Sequence, residues 1–501
     1  MSHSGRLTRR AVLHLPSLPD TDDTPGILVI GAGCAGLSAA HTARQHTDLP
    51  VVLVDEENNV DVEPRMNRPA LFNAAGSESQ LRLGIWDSPE NHALETLRAG
   101  GGRGDPELVR RFSFEAAAVL RQLENAGCAF RDRPEMVPYG TYPRTHVTSD
   151  ACSIRKVLLG MVREAGVTIR TGLRLSSFGF DAERRITGAV FDDPFGRREF
   201  LPCRAVVLAT GGFAGDAALS ARYDRRSAGL ATTAVAGSQN HAFRAAAQTG
   251  AFFVGMNYAV YETGIRSRRG FVPFALHPSL YVLLDESGRR TVNEFDAKAV
   301  KLRLLSKPNH VLWLVTSEES FRRSADLPKS VEAMLLSDPA CYRLNGPNGN
   351  LPESLVGMNG NDEEPKPNAS AASGALPFDM NALEGVLREQ SSVADSMKIG
   401  KDRETGSKSS SFHGPLLAFP FTIARARTLG GVRIDREARV LDAGGRPIPR
   451  LYAAGDVTGG IHGNGYVPGN GLTSAIVFGT VAGRNAARGA GDRRDLRTLP
   501  L

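Results

Sequence analysis

The residues of this chain that could do chemistry begin with a glycine turn. Gly31, Gly33 and Gly36 follow the spacing G-x-G-x-x-G directly after the apolar run Ile27-Leu28-Val29-Ile30. Asp55 closes a second apolar run, Val51-Val52-Leu53-Val54. This set binds a dinucleotide. Gly31 permits the tight turn, Gly33 lets the backbone approach a pyrophosphate, and Gly36 lets the helix pack close to the strand. The helix N-terminus then offers N–H groups to the phosphates, and Asp55 stands where a carboxylate accepts ribose hydroxyls. Thr210 and Gly211 end another buried run, Ala205-Val206-Val207-Leu208, where backbone can approach a ligand. Gly455 and Asp456 end a further strand-like run that begins at Arg450.

These positions need strands and helices to hold them. The Ala-rich stretch from Leu37 to Arg44 reads as the helix between the first two strands, a βαβ unit over 26–56. Residues 57–90 carry little periodicity and read as loop. Ser88-Pro89 opens a helix by capping and by proline at its first turn, and Asp105-Pro106-Glu107 opens another that runs to about Ala126. Residues 131–150 read as loop, Asp150 to Ala165 as helix, Val167 to Arg170 as strand, and Asn240 to Thr249 as helix. From about residue 257 the apolar runs shorten. Residues 343–378 are rich in Asn, Gly, Pro, Ser and Glu, as an inserted loop would be, and Ser407 to Ser411 reads as linker. α/β character returns near 415, and an apolar helix is expected from Thr473 to about Arg488.

Composition narrows the class. The 501 residues are 41% hydrophobic and 23% charged, ordinary for a globular chain of two to three domains. The net charge of +6 is spread, with no basic tract interleaved with aromatics, so nucleic-acid binding is not expected. The five cysteines are scattered, which argues against a disulfide framework or a zinc site and fits a reducing, cytoplasmic setting. No apolar run is long enough to span a membrane. Thr8-Arg9-Arg10 resembles an export signal, but the apolar stretch such a signal needs is missing, so residues 1–25 read as a flexible arm.

Taken together, the motifs resemble the flavoprotein family of soluble fumarate reductases, succinate dehydrogenase flavoprotein subunits and 3-ketosteroid dehydrogenases. Six of them fall in the family order. They are the glycine turn; Gly84-Ile85 with Asp87-Ser88-Pro89; Ala209-Thr210-Gly211-Gly212-Phe213; Gly288-Arg289-Arg290 with Val292-Asn293-Glu294; Leu451 to Gly460; and Gly469-Asn470 before the last helix. The resemblance implies an α/β fold with a Rossmann-like FAD-binding domain, split in sequence, and an inserted α+β capping domain. The implied boundaries are an arm at 1–25, FAD-binding parts at 26–256 and 415–490, a cap at 257–414 and a tail at 491–501. It places the flavin at the domain interface. Gly455 and Asp456 then approach the ribityl and pyrophosphate region, and Asn470, Gly471 and Leu472 approach the flavin ring. Relatives that attach flavin covalently use a histidine after the second strand. Residues 57–83 hold none, so the implied FAD is non-covalent.

The family's fumarate-binding residues are largely replaced. Met256 to Thr263 has no histidine, Lys298 stands where the proton-donating arginine is expected, Arg425 and Arg427 precede Thr428-Leu429-Gly430-Gly431 in place of a histidine pair, and Tyr466 stands where a carboxylate-binding arginine is expected. Losing arginine for tyrosine removes both charge and fork geometry. Tyr466-Val467-Pro468-Gly469 is closer to the ketosteroid dehydrogenases, which set a tyrosine and a glycine N–H on a substrate carbonyl. The implied chemistry is hydride transfer between flavin N5 and a C–C bond next to a carbonyl, on a substrate other than fumarate. Tyr466 is then the enolate donor, Lys298 the acid–base group, Arg427 an anchor for a substrate oxygen, and His462 a flavin or substrate contact. Arg144 and His146 resemble a family loop near the flavin. An amine or alcohol oxidase on the same fold, or a flavoprotein without redox work, remains an alternative. The expected partners are a small-molecule substrate and an external electron donor or acceptor, since the chain holds no haem or iron–sulfur motif.

Overall fold

The computed structural model describes residues 26–62, 69–149, 153–234, 241–324, 327–344, 386 and 415–491. The expected arm, the inserted loop beyond 344 and the 407–411 linker lie outside them. The chain divides into two compact units. The first comprises Met1–Tyr223, Ala234–Val260 and Arg427–Leu501, and the second Asp224–Thr233 and Tyr261–Ala426.

The first unit is built on a six-stranded sheet. Its strands are β1 (Ile27–Ile30), β2 (Val51–Val54), β3 (Thr168–Arg170), β4 (Ala205–Leu208), β5 (Arg439–Leu441) and β6 (Pro447–Ala453), in the order β5-β6-β4-β1-β2-β3. All neighbours are parallel except the edge pair β5 and β6. β1, β2 and β4 are short, apolar and buried throughout, as strands covered on both faces must be. Register then brings the site together. Ile30 lies opposite Val54 and Leu208, and Leu208 lies opposite Ala453. The residues that follow, Gly31, Asp55, Ala209 and Ala454, therefore leave the sheet at one carboxyl edge.

Two helices cover the sheet at close range. These are α1 (Cys34–Gln45) and the last helix (Asn470–Gly491). A Cβ on Gly479 or Gly483 would stand 2.3 or 2.2 Å from the Ala35 or Ala39 carbonyl oxygen. The Ala/Gly composition of both helices thus permits backbone-to-backbone packing. The last helix begins at Asn470, three residues ahead of the expected Thr473. The helices expected after Ser88 and Asp105 are Pro89–Ala99 and Pro106–Asn125, each capped by that residue's side chain.

Residues 69–90 hold regular structure where the sequence reads as loop. Leu71–Asn73 pairs antiparallel with Thr145–Val147, and Glu78–Arg82 is a short helix. Ser77 and Gln80 close a capping box on that helix, an S-x-x-Q signature present in the sequence.

The second unit holds a six-stranded sheet, five strands of which run in the order Gly270–Pro273, Ala259–Ser267, Leu416–Thr428, Leu312–Ser317, Tyr281–Leu284, while Tyr342–Leu344 pairs antiparallel with the start of the long strand. The long strand pairs with Leu312–Ser317 from Leu416 to Phe421, and Phe419 stacks on Phe321 at 4.9 Å. That pairing ties residues 416–421 to this unit, whose last residue is Ala426. Among the described residues no helix is long and apolar enough to cross a membrane, and no cluster of metal-ligating side chains occurs.

Candidate active site

The glycine turn has the geometry its spacing implies. Gly31 adopts φ +109°, and a Cβ there would meet the Ala209 carbonyl oxygen at 2.3 Å. A Cβ on Gly36 would lie 1.8 Å from the Gly31 carbonyl oxygen, so strand and helix meet only through glycine. Gly33 differs. It caps α1 with ordinary extended backbone, and a Cβ there would meet nothing within 4 Å. The space in front of the α1 N-terminus is therefore open at Gly33, where a phosphate would approach. Asp55 accepts from the Ala32 and Glu57 N–H groups. The Thr210 hydroxyl is buried with no hydrogen-bond partner among the described residues. An open cradle at a helix N-terminus, a carboxylate beside it and an unsatisfied hydroxyl at the next strand end fit the two halves of FAD.

A second cluster lies at the N-terminus of the last helix. The Tyr466 hydroxyl accepts from Arg427 Nη1 at 3.0 Å and from the Gly471 N–H at 3.2 Å. Arg427 is held in turn by Asp456, Nε to Oδ2 at 3.1 Å, and lies over the Tyr466 ring. His462 meets that ring edge-on at 5.5 Å. The Ser474 hydroxyl donates to the Gly471 carbonyl, so His462 Nε2–H donates to Ser474 Oγ at 3.2 Å. The structure thus joins Tyr466, Arg427, His462, Asp456 and Gly471, five of the expected site residues, in one set of contacts. Leu472 beside them is half-buried.

Asn470, at the start of the same helix, anchors a buried network. Its side chain is fully buried. Its Oδ1 accepts from His92 Nε2 at 2.8 Å and from Asn73 Nδ2 at 2.7 Å, while its Nδ2 donates to Thr96 Oγ1. Asn73 also accepts from the Thr145 hydroxyl and donates to the Pro468 carbonyl. This network fixes the backbone that carries Gly471. Arg144, likewise buried, makes a forked pair with Asp87 at 2.9 and 3.0 Å and reaches Glu95 at 3.1 Å, tying its loop to helix Pro89–Ala99. Asn73 and His92 carry no motif and were missed in the sequence for that reason.

The buried histidines are neutral. Burial, assisted by the Arg144 charge, pushes His92 down to about 3. Burial and the Arg427 charge push His462 down to about 3, so it is uncharged near neutral pH. Burial holds His146 down at about 4. Unfolded histidine titrates near 6.5, so between that pH and the folded values the unfolded chain binds the extra protons. Stability is complete above about pH 6.5 and falls as the pH drops, by about 1.4 kcal/mol per unit for each histidine. Urea unfolding at pH 7 and pH 5 should show the loss, and His92→Asn should reduce its slope. A midpoint that does not move would contradict the buried, neutral assignment.

The expected residues of the second unit are placed differently. Lys298 is solvent-exposed on the first turn of helix Ala297–Ser306, and its backbone N–H donates to Asp296. Its acid–base role therefore stands on the resemblance alone. Lys301, one turn on, is half-buried, and burial holds it below the ordinary lysine value against the opposing pull of Glu262. Arg425 is buried, with Nη1 donating to the Ser227 carbonyl at 2.7 Å, and its backbone is bracketed by Ala231 and Thr233. It clamps the 224–233 segment to the long strand.

Comparison with known proteins accords with this geometry. The chain is 25% identical over 472 residues to the NADH:fumarate oxidoreductase of Klebsiella pneumoniae, covering 93% of this chain and 48% of that protein. It thus spans about half the length of that relative. The open conformation of a flavocytochrome c3 fumarate reductase superposes with a TM-score of 0.73 at 22% identity, over 94% of this chain and 79% of that one. The 3-ketosteroid delta1-dehydrogenase of Sterolibacterium denitrificans superposes with a TM-score of 0.71 at 17% identity, over 93% of this chain and 100% of that one. The family model described as FAD binding domain matches residues 26–472, which include the glycine turn, the Thr210 strand end and the Tyr466 loop. The cofactor is FAD, and the chain belongs to the FAD binding domain family of flavoprotein oxidoreductases.

Proposed function

We propose that this protein adds or removes hydrogen across a C–C bond next to a carbonyl, on a substrate other than fumarate. FAD, when bound, supplies or takes the hydride. The observation that carries the reading is the environment of Tyr466. A phenol oxygen has two acceptor positions and one proton. Arg427 and the Gly471 N–H fill the two acceptor positions. The phenol proton is therefore directed to a third partner, and a cationic donor behind the oxygen strengthens that bond. A donor so prepared suits an oxygen on which negative charge develops, such as the enolate formed when a hydride reaches the β-carbon. Relatives named for fumarate and for 3-ketosteroids support the reading, since each compound has an alkene or saturated carbon pair beside a carbonyl.

Fumarate itself is disfavoured by charge. Holding a dicarboxylate takes paired cationic forks. Position 466 is a tyrosine, and the Arg427 guanidinium is already matched to Asp456. With reduced viologen as donor, fumarate should be consumed no faster than in the absence of protein. Rapid, protein-dependent reduction to succinate would refute the exclusion. Non-covalent attachment of the FAD is part of the same proposal, and acid precipitation should leave the flavin in the supernatant.

A further inference from the structure

We propose that Arg204 and Arg450 bind a phosphate-class oxyanion at the amino edge of the six-stranded sheet, apart from the cofactor. The place follows from the backbone. β4 begins at Ala205, and Leu451 of β6 lies opposite Val206, so Arg204 and Arg450 stand together where these two strands begin to pair. The glycine turn leaves the same sheet at its other end, beside Leu208. A hairpin, Arg174–Phe180 with Ile186–Asp192, closes over the amino corner. The Cys203 N–H donates to the Thr187 carbonyl at 2.9 Å, and Arg450 Nη1 donates to the Ile186 carbonyl at 3.2 Å. Arg185 precedes Ile186 and brings a third guanidinium to the corner. Arg185 and Arg204 both act on Arg450 as like charges.

The carboxylates here are already committed. Arg185 Nε bonds Asp181 at 2.7 Å, and its Nη2 bonds Glu183 at 3.0 Å. The other Asp181 oxygen accepts from the Arg185 backbone N–H at 2.8 Å. The half-buried Arg204 side chain makes no hydrogen bond or ion pair among the described residues. Arg450, also half-buried, spends on the Ile186 carbonyl one of the five N–H donors of an arginine. Burial, and after it the Arg185 charge, hold Arg450 below the ordinary arginine value, with Asp181 pulling the other way. Arg450 also adopts φ +66°, the left-handed region that glycine takes without strain and arginine does not. Strain, burial and like-charge repulsion thus meet at one residue, as expected where a bound anion completes the charge. Two planar forks suit the several oxygens of a phosphate or pyrophosphate.

The test is calorimetric titration of the full-length, FAD-loaded protein with inorganic phosphate and with pyrophosphate, at ionic strength held constant with chloride. Bound FAD keeps both probes out of the glycine turn. One saturable site is expected. Arg204→Gln and Arg450→Gly should each weaken it roughly 10- to 100-fold, the worth of one or two charge-assisted hydrogen bonds, with FAD content unchanged. The anion-free thermal midpoint of Arg450→Gly should not fall, since glycine adopts this φ without strain. Binding no stronger than that of chloride would overturn the proposal, as would affinity unchanged in both variants. A midpoint that falls in Arg450→Gly while anion affinity holds would also overturn it and make Arg450 a strut of the hairpin. Asp20, Asp22 and Asp23 precede Gly26, whose carbonyl accepts from the Arg204 N–H at 3.1 Å. Binding that emerges only when all three are changed to asparagine would give the site to the chain's own carboxylates and overturn the proposal as well.

Discussion

Replacing Tyr466 by phenylalanine is expected to slow hydride transfer between flavin and substrate by about 10²–10³-fold, the range lost when one preorganised oxyanion donor is removed. The FAD content of the purified variant should be unchanged. The change deletes one oxygen and leaves the ring, its edge contact with His462 and its face against Arg427 in place. What disappears is the proton that Arg427 and the Gly471 N–H turn toward a third partner. The loss should fall on kcat more than on KM, because the bond strengthens only as charge develops on the substrate oxygen. Arg427→Met should reproduce part of the loss by removing the cation behind the phenol. Stopped-flow flavin absorbance measures the step directly. Near-normal transfer in Tyr466→Phe would make the tyrosine a packing residue.

The second large effect separates two glycines of the same turn. Gly33→Val should give a folded but colourless protein. Its added carbons enter space that no protein atom occupies, so the chain tolerates them, while the approach of a pyrophosphate is blocked. Gly36→Ala should also lose flavin, for another reason. Its methyl group would stand 1.8 Å from the Gly31 carbonyl oxygen, so strand and helix must separate, at a cost of about 1–3 kcal/mol or more. Thermal unfolding of the two flavin-free variants tells them apart: the Gly33 variant should match flavin-free wild type, and the Gly36 variant should melt lower. Full flavin occupancy in Gly33→Val would remove the phosphate site from this turn.

How much of this was legible in the sequence follows from how local each signal is. β1, β2 and β4 are apolar runs ending at glycine or acid, and their register is implied once they are parallel neighbours. Ser88-Pro89 and Asp105-Pro106 announce helix starts because a cap acts within one turn. Leu71–Asn73 and Thr145–Val147 are too short to show a period, so the strand pair that presents Asn73 was not legible. Asn470 was placed near the flavin by resemblance, and its side chain is consumed by His92, Asn73 and Thr96, partners hundreds of residues away in the chain. Arg425 and Arg427 alternate on one strand and read alike in sequence. Their partners separate them: the Ser227 carbonyl for one, Asp456 and Tyr466 for the other. Residue types at 427 and 466 pointed to the site, and only the fold shows that one polarises the other.

The central claim is chemical: the flavin exchanges hydride with a carbon pair beside a carbonyl. Its most direct test is anaerobic titration of the reduced holoprotein with a panel of α,β-unsaturated acids, ketones and steroidal enones, with flavin absorbance and product mass read together. The account predicts that at least one compound reoxidises the flavin mole for mole, with the saturated product formed in equal amount, and that fumarate does not. Reoxidation by oxygen alone, with oxidised flavin reduced instead by an amine or alcohol, would contradict it.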